Sequence, residues 1–125
     1  MGKKKVMIVD DEEHFLKIVK MNLEMTDKYE VVTLLGGENI ISQVQKFKPD
    51  IILLDIIMPK IDGAELCKIL KEDSKSAKIP IIALSAMDTD EDKLMMHKLG
   101  VIDFLIKPID KDTLVAKIEK TLECK

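Results

Sequence analysis

The sequence predicts an α/β domain with an open, doubly wound parallel sheet. Five short apolar runs recur along the 125 residues, and each is followed by a segment with helical spacing of apolar side chains. Four of these runs are nearly unbroken, which is typical of strands buried on both faces of a parallel sheet. Alternating strands and helices imply right-handed crossovers, with helices on both faces of the sheet. Five units are too few to close an eight-stranded barrel.

The elements are separated by glycines and prolines, which act as local breakers. The predicted strands cover residues 6–9, 31–34, 51–54, 81–84 and 104–106. The predicted helices cover residues 12–25, 38–47, 64–72, 91–99 and 111–122. In the fourth of these helices the helical spacing is carried by Leu94, Met95 and Leu99, which we therefore expect to face the core.

Composition excludes several classes of protein. A hydrophobic content of 46% supports a packed core, and a net charge of −3 argues against a nucleic-acid-binding surface, which is usually basic. No apolar run approaches the ~18 residues of a membrane span, and the N-terminus is not a signal peptide. Cys67 and Cys124 fit two free thiols in a reducing cytoplasm, although a disulfide between them stays open. His14 and His97 are predicted to be ordinary surface or boundary residues.

Functional side chains follow four of the five predicted strands. Asp10 and Asp11 follow the first, Asp55 the third, Ser85 the fourth and Lys107 the fifth. Because the carboxyl ends of parallel strands lie along one edge of the sheet, these groups should converge in one cleft. Each residue alone could be a turn or capping residue, so it is their joint placement that predicts a site.

The charges of this cleft predict its chemistry. Converging carboxylates repel, and Lys107 alone cannot balance Asp10, Asp11 and Asp55. Mg²⁺ would resolve the imbalance, since it binds one or two carboxylates, several waters and a phosphate oxygen. A carboxylate beside Mg²⁺ and a lysine can attack phosphorus to give an aspartyl phosphate. We therefore expect Asp55 to accept a phosphoryl group, with Lys107 and the Ser85 hydroxyl on the phosphoryl oxygens.

Five motifs along the chain are specific when taken together. They are Val9-Asp10-Asp11-Glu12, Leu53-Leu54-Asp55-Ile56-Ile57-Met58-Pro59, Asp62-Gly63, Leu84-Ser85-Ala86 and Phe104-Leu105-Ile106-Lys107-Pro108. With them the chain resembles the receiver domain of bacterial two-component response regulators, and in particular the chemotaxis-regulator-like receivers. The resemblance covers nearly the whole chain. It implies a single receiver domain over residues 1–125 with a flavodoxin-like sheet of strand order 2-1-3-4-5.

The resemblance also implies roles for the acidic residues. Asp55 is similar to the phosphoacceptor of the family. Asp11 resembles a direct Mg²⁺ ligand, and Asp10 would assist through water. Asp55 is implied as the third carboxylate of the metal site. The backbone carbonyl of Ile57 is implied as a further ligand, so that its side chain is not constrained by this role.

Further roles are implied for the fourth and fifth strands. Ser85 resembles the hydroxyl that moves toward the phosphoryl group, and Phe104 the switch aromatic that turns inward with it. Phe104 lacks the hydroxyl of the tyrosine that is common there, so its switching would act by packing. Lys107 resembles the phosphate-binding lysine, and its peptide bond to Pro108 is implied to be cis.

The partners implied by the resemblance are a sensor histidine kinase or a phosphotransfer protein, and small phosphodonors such as acetyl phosphate. Phosphorylation would change the face formed by the fourth helix, fifth strand and fifth helix, which would contact a downstream protein or a second copy. Ile102 is an apolar residue on this face, and an isolated exposed residue is the alternative interpretation. The apolar Ile57 and Met87 lead to the hypothesis that autodephosphorylation is slow.

Three rival functions compete with this interpretation. An aspartyl-phosphate phosphohydrolase of the dehalogenase-like class usually has a second acid two residues after its nucleophile, where this chain has Ile57. A phosphorylation-independent interaction module would not need Asp11, Asp55, Ser85 and Lys107, so the presence of all four residues argues against it. A nucleotide-binding domain is less well supported, because neither G-x-G-x-x-G nor a P-loop is present. The sequence leaves open the cognate kinase, the output, the oligomeric state and whether the chain is a piece of a longer regulator.

Overall fold

The computed structural model describes residues 2–56, 63–86 and 89–123, and within them strands and helices alternate. The strands are β1 (Lys4–Val9), β2 (Tyr29–Leu34), β3 (Ile51–Asp55), β4 (Ile81–Ser85) and β5 (Asp103–Ile106). The helices are α1 (Glu13–Glu24), α2 (Ile40–Phe47), α3 (Gly63–Glu72), α4 (Asp90–Lys98) and α5 (Lys111–Glu123). All strand pairs are parallel, in the order β2-β1-β3-β4-β5. The predicted fold class and strand order are confirmed.

The core consists of two apolar layers, one on each face of the sheet. On one face α1 and α5 pack against alternate strand residues such as Ile8 and Leu53. On the other face α2, α3 and α4 pack against the intervening residues, such as Val9 and Leu54. Since successive side chains of a strand point to opposite faces, burial on both sides explains why the central runs are unbroken in the sequence.

The predicted core face of α4 is wrong in one residue. Leu94 is exposed, Met95 and Leu99 are half-buried, and Met96 is the residue that the helix buries. At about 100° per residue, positions 95, 96 and 99 lie within one arc of the helix, whereas position 94 lies far outside it. The start of this helix is fixed by Thr89, whose side chain accepts from the Asp92 N–H while the Asp92 carboxylate accepts from the Thr89 N–H.

Several smaller predictions can be compared with the structure. His14 and His97 are exposed, as predicted. Cys67 is a buried free thiol whose Sγ donates to the Leu99 carbonyl at 3.4 Å, while Cys124 lies outside the described residues. Burial raises the pKa of the Cys67 thiol, and the nearby Lys71 opposes this only in part. None of the described helices is both long and apolar enough to cross a bilayer.

Candidate functional site

Three carboxylates meet at the carboxyl edge of the sheet. Val9 pairs with Leu54 in the ladder between β1 and β3, so the next residues, Asp10 and Asp55, lie level with one another. One oxygen atom each from Asp10, Asp11 and Asp55 lies within 4.8 Å of the other two. Asp10 and Asp55 are buried and Asp11 is half-buried, so two of the three carboxylates have lost most of their contact with water.

Asp10 is held by the backbone that surrounds it. Its N–H donates to the Leu34 carbonyl at 3.1 Å, which extends the pairing with β2 by one step. Its Oδ1 accepts from the Glu12 N–H at 3.0 Å, a turn-forming contact typical of aspartate before a helix. The Asp10 side chain therefore both forms the turn into α1 and contributes a second oxygen, Oδ2, to the cleft.

Lys107 extends its ammonium group into this cluster from beyond β5. Its Nζ lies 2.7 Å from Oδ2 of Asp10, 3.2 Å from Oδ2 of Asp55 and 3.2 Å from Oε1 of Glu12. Its N–H donates to the Ser85 carbonyl at 2.7 Å, and its peptide bond to Pro108 is cis, as the resemblance implies. Only 14% of the Lys107 side chain is exposed, so these ion pairs are partly shielded from water.

The electrostatics of the cluster leave a negative excess. Burial by itself would lower the pKa of Lys107, but the hydrogen bond that its ammonium donates to Asp10 and the charge of Asp55 outweigh this effect, so that the pKa is raised above its ordinary value. The lysine is therefore fully charged at neutral pH and still cannot neutralise three carboxylates. An all-carboxylate set of oxygen donors fits a hard divalent cation such as Mg²⁺. The residues present therefore fit the metal that the sequence predicts.

Ser85 and Phe104 lie at different depths. Ser85 is the last residue of β4 and is buried at the same edge of the sheet. It pairs with Ile106, whereas Phe104 pairs with Ala83, two residues further from the edge. Phe104 is half-buried and packs against the apolar layer formed by α2, α3 and α4. The structure thus places Ser85 at the same sheet edge as the acidic cluster and Phe104 two residues below that edge, against the layer that includes α4.

Two contacts of Lys107 were not predicted. Glu12 contacts Lys107 through its carboxylate, and the Phe15 ring lies under the Lys107 ammonium, with its centroid 4.5 Å from Nζ. Both belong to the turn and first helical turn that follow Asp11. A helix that begins directly after the acids must pass its first turn over the strand ends, and this placement was the signal available in the sequence. Ile57 and Met87 lie outside the described residues.

Comparison with known proteins identifies the family. The family described as the response regulator receiver domain matches residues 6–119. The chain belongs to this family. The match includes the described acids, Ser85 and Lys107, so the receiver domain has its acidic cluster and its lysine in the region that defines the family.

Individual relatives agree with this assignment. The chain is 36% identical to the alkaline phosphatase synthesis transcriptional regulatory protein PhoP of Bacillus subtilis, over 95% of this receiver domain and 48% of that protein. It superposes on the chemotaxis protein CheY4 of Vibrio cholerae with a TM-score of 0.87 and 28% identity, covering 95% and 98% of the two chains. It superposes on the BeF₃-activated receiver domain of Klebsiella pneumoniae RstA with a TM-score of 0.85 and 27% identity, covering 95% of this chain and 98% of that one. The chain spans about half the length of PhoP.

Proposed function

We propose that Asp55 accepts a phosphoryl group from the phosphohistidine of a sensor histidine kinase or phosphotransfer protein, in a reaction that depends on Mg²⁺. The observation that supports this best is the convergence of the Asp10, Asp11 and Asp55 carboxylates on the Lys107 ammonium at one sheet edge. Family membership supports the same reaction class. The chain would act as a single receiver domain over residues 1–125, in the cytoplasm with its kinase.

The transfer is a displacement at phosphorus. An Asp55 carboxylate oxygen forms the new P–O bond, while the P–N bond to the donor histidine breaks. The imidazole nitrogen keeps the electron pair of that bond and takes up a proton. With acetyl phosphate as donor, a P–O bond breaks instead and acetate leaves. Such a transfer needs mainly correct positioning and neutralisation of charge on the phosphoryl oxygens.

The metal site would be formed by the carboxylates of Asp10, Asp11 and Asp55, with the Ile57 carbonyl proposed as a further ligand. A bound Mg²⁺ would neutralise negative charge on the phosphoryl group and on the carboxylates. Asp11 is the best candidate for a direct ligand, because no described residue forms an ion pair with it, whereas Asp10 and Asp55 both contact Lys107.

Lys107 and Ser85 would bind the oxygens of the phosphoryl group that Asp55 accepts. Lys107 Nζ is within hydrogen-bonding distance of Asp55 and would donate to a phosphoryl oxygen, which is a stronger bond when both partners are charged. The Ser85 hydroxyl, buried at the same edge, would donate to another oxygen. Ser85 is on β4 and Phe104 is on the adjacent strand β5. Movement of Ser85 toward the phosphoryl group would therefore open space into which Phe104 could turn.

The output would be a change on the surface formed by α4, β5 and α5. Leu94 and Ile102 are exposed on this surface, with 55% and 56% of their area accessible. Large exposed apolar residues of this kind support an interaction with a downstream protein or a second copy of the chain. No direct contact with nucleic acid or membrane is proposed for this domain.

Phosphorylation by acetyl phosphate tests the proposal. The wild-type protein incubated with Mg²⁺ and acetyl phosphate should gain the mass of one phosphoryl group, and Asp55→Asn should not. Chelation of Mg²⁺ by EDTA should abolish the gain. No gain in the wild type, together with no binding of beryllium fluoride, would instead favour a phosphorylation-independent interaction module.

The lifetime of the phosphoryl group is a separate proposal. The apolar Ile57 and Met87 should limit the access of water to the acyl phosphate. Hydrolysis of the acyl phosphate should therefore be slower than in a phosphohydrolase, which hydrolyses it in every catalytic cycle. Replacement of both residues by asparagine should shorten the half-life of the phosphorylated protein after the donor is removed. An unchanged half-life would exclude this role for the two side chains.

A further inference from the structure

The position of the Lys107 ammonium depends on two kinds of contact. Asp10 and Asp55 hold it by charge, but oxygens of both residues also belong to the candidate cation cluster. Phe15 contacts it through a ring face and contributes no atom to that cluster. The contact with Phe15 is therefore independent of how the carboxylates are shared with a cation.

The geometry of this contact fits a cation–π interaction. Lys107 Nζ lies 4.5 Å from the Phe15 centroid, within the ~6 Å range over which a ring face attracts an ammonium group. Because the Lys107 side chain is only 14% exposed, water competes little for the ammonium. An exposed pair of this kind would be weaker.

Phe15 is itself fixed in place. It is half-buried near the start of α1 and packs against the apolar layer formed by α1 and α5. Its neighbour Leu16 is buried in the same layer. Glu12, in contrast, contacts Lys107 through its carboxylate, and its side chain is 63% exposed. Solvent and salt therefore screen the charge of Glu12. Of the two unpredicted contacts, the ring is the one with a fixed support.

The ring also differs from the carboxylates in its effect on the positive charge of Lys107. A carboxylate neutralises the ammonium that it binds, whereas the ring has no net charge and holds the ammonium by its quadrupole. A lysine side chain has a flexible four-carbon stem, so its position must be set by its neighbours. A neutral support keeps the positive charge of Lys107 available for a phosphoryl oxygen.

We propose that Phe15 is a positioning residue for the phosphoryl transfer, and that its ring holds the Lys107 ammonium beside Asp55. This rests on the proposed function of Asp55. Phe15 touches neither the phosphoryl donor nor the acceptor oxygen in this account, and acts only through Lys107.

A pair of substitutions separates the ring face from the bulk of the side chain. Phe15→Leu keeps an apolar group against the α1 and α5 layer but removes the ring, and Phe15→Tyr keeps the ring. In the metal-free protein, ¹³C-lysine NMR should show the Lys107 ε-protons shifted upfield by the ring in the wild type and in Phe15→Tyr. The shift should be lost in Phe15→Leu. An unshifted Lys107 signal in the wild type would overturn the contact.

Kinetics then test the consequence of the contact. With acetyl phosphate and saturating Mg²⁺, Phe15→Leu should lower the maximal phosphorylation rate by about three- to tenfold, as expected for the loss of one such contact. Phe15→Tyr should retain the rate, and calorimetric Mg²⁺ affinity should be the same in all three proteins. Glu12→Gln should have a smaller effect that disappears at high salt.

The outcomes distinguish this inference from the proposed function. If the wild type is not phosphorylated, the proposed function fails. If the wild type is phosphorylated and Phe15→Leu reacts at the same rate, only the role of Phe15 fails. A thermal melt of each variant establishes that it is folded, and Phe15→Met provides a second ring-free variant if Phe15→Leu does not fold.

Discussion

The central strands and the α4–β5 region differ in how much of them is buried, although both contribute to the same site. Every residue of β3 and the last four residues of β1 are buried. In contrast, α4 buries only Met96 and β5 buries only Leu105. Regions with few buried apolar contacts open at a lower free energy than core strands. The α4–β5 region should therefore be the less stable part of the domain.

This difference in burial separates the residues that would accept the phosphoryl group from those that would respond to it. The carboxylates of Asp10 and Asp55 stand at the carboxyl ends of β1 and β3, whose neighbouring residues are buried, so they are held in a fixed position. Phe104 and Lys107 belong to β5 and the residues after it. A phosphoryl group on a fixed aspartate would act on Lys107 and Ser85, and could shift the region that costs least to rearrange.

The largest effect should come from a leucine pair that compares the two regions directly. Leu54→Ala removes a fully buried side chain from β3 and should lower the free energy of unfolding by about 2–5 kcal/mol. Leu94→Ala removes an exposed side chain from α4 and should change it by less than about 0.5 kcal/mol. Urea denaturation measures both. Similar losses in the two variants would remove the basis of the comparison.

Gly63 tests the packing around the phosphoacceptor. It begins α3, and a Cβ atom there would contact the Asp55 carbonyl oxygen and lie 2.6 Å from the Ile56 Cα. Because these are backbone atoms, they cannot move as a side chain would. Gly63→Ala should destabilise the protein by about 1–3 kcal/mol in the same denaturation experiment. A variant as stable as the wild type would show that β3 and α3 can separate at this point.

Mg²⁺ should stabilise the folded protein by binding to the carboxylates of Asp10, Asp11 and Asp55. At ten times its dissociation constant, a ligand that binds only the folded state adds about 1.4 kcal/mol. Thermal denaturation with and without Mg²⁺ measures this. Asp11→Asn should lose most of the effect, whereas Glu13→Gln, an exposed acid paired with Lys17, should keep it. Equal stabilisation of Asp11→Asn and the wild type would place the metal elsewhere.

The smallest effect is expected at the end of α4. Gly100 follows this helix with a φ of +84°, a conformation that side chains with a Cβ adopt at a cost of about 1 kcal/mol. Gly100→Ala should lower the free energy of unfolding by about that amount. Gly2→Ala is the matched control, since a Cβ atom there would meet nothing within 4 Å. A loss at Gly2 as large as that at Gly100 would refute the backbone explanation.

Much of the fold could be predicted because burial and sequence pattern agree in most elements. The unbroken run of β3 predicted its buried residues. In α1 the apolar residues Leu16, Val19 and Leu23 stand at helical spacing in the sequence, and all three are buried. In α4 the pattern was weak, and Leu94 was assigned to the wrong face. The start of α2 was also missed by two residues, because Asn39 has a φ of 57° and the helix begins only after it.

The acids of the site could be predicted because they stand directly after strands, and strand ends share an edge. The partners of Lys107 depend on tertiary packing instead. Its contact with Phe15 spans most of the chain length and requires α1 to lie over the end of β1. Its contact with Glu12 depends on a side-chain conformation that spacing does not determine. Such contacts become visible only once the sheet and its helices are assembled.

Chemical identification of the phosphorylated residue tests the central claim most directly. The wild-type protein is phosphorylated with acetyl phosphate and Mg²⁺, and the acyl phosphate is reduced with borohydride, which converts a phosphorylated aspartate to homoserine. Peptide mass spectrometry then locates the modified position. We predict homoserine at residue 55 and no conversion in Asp55→Asn. Conversion at residue 10 or 11, or none in a protein that has gained a phosphoryl group, would contradict the assignment of Asp55.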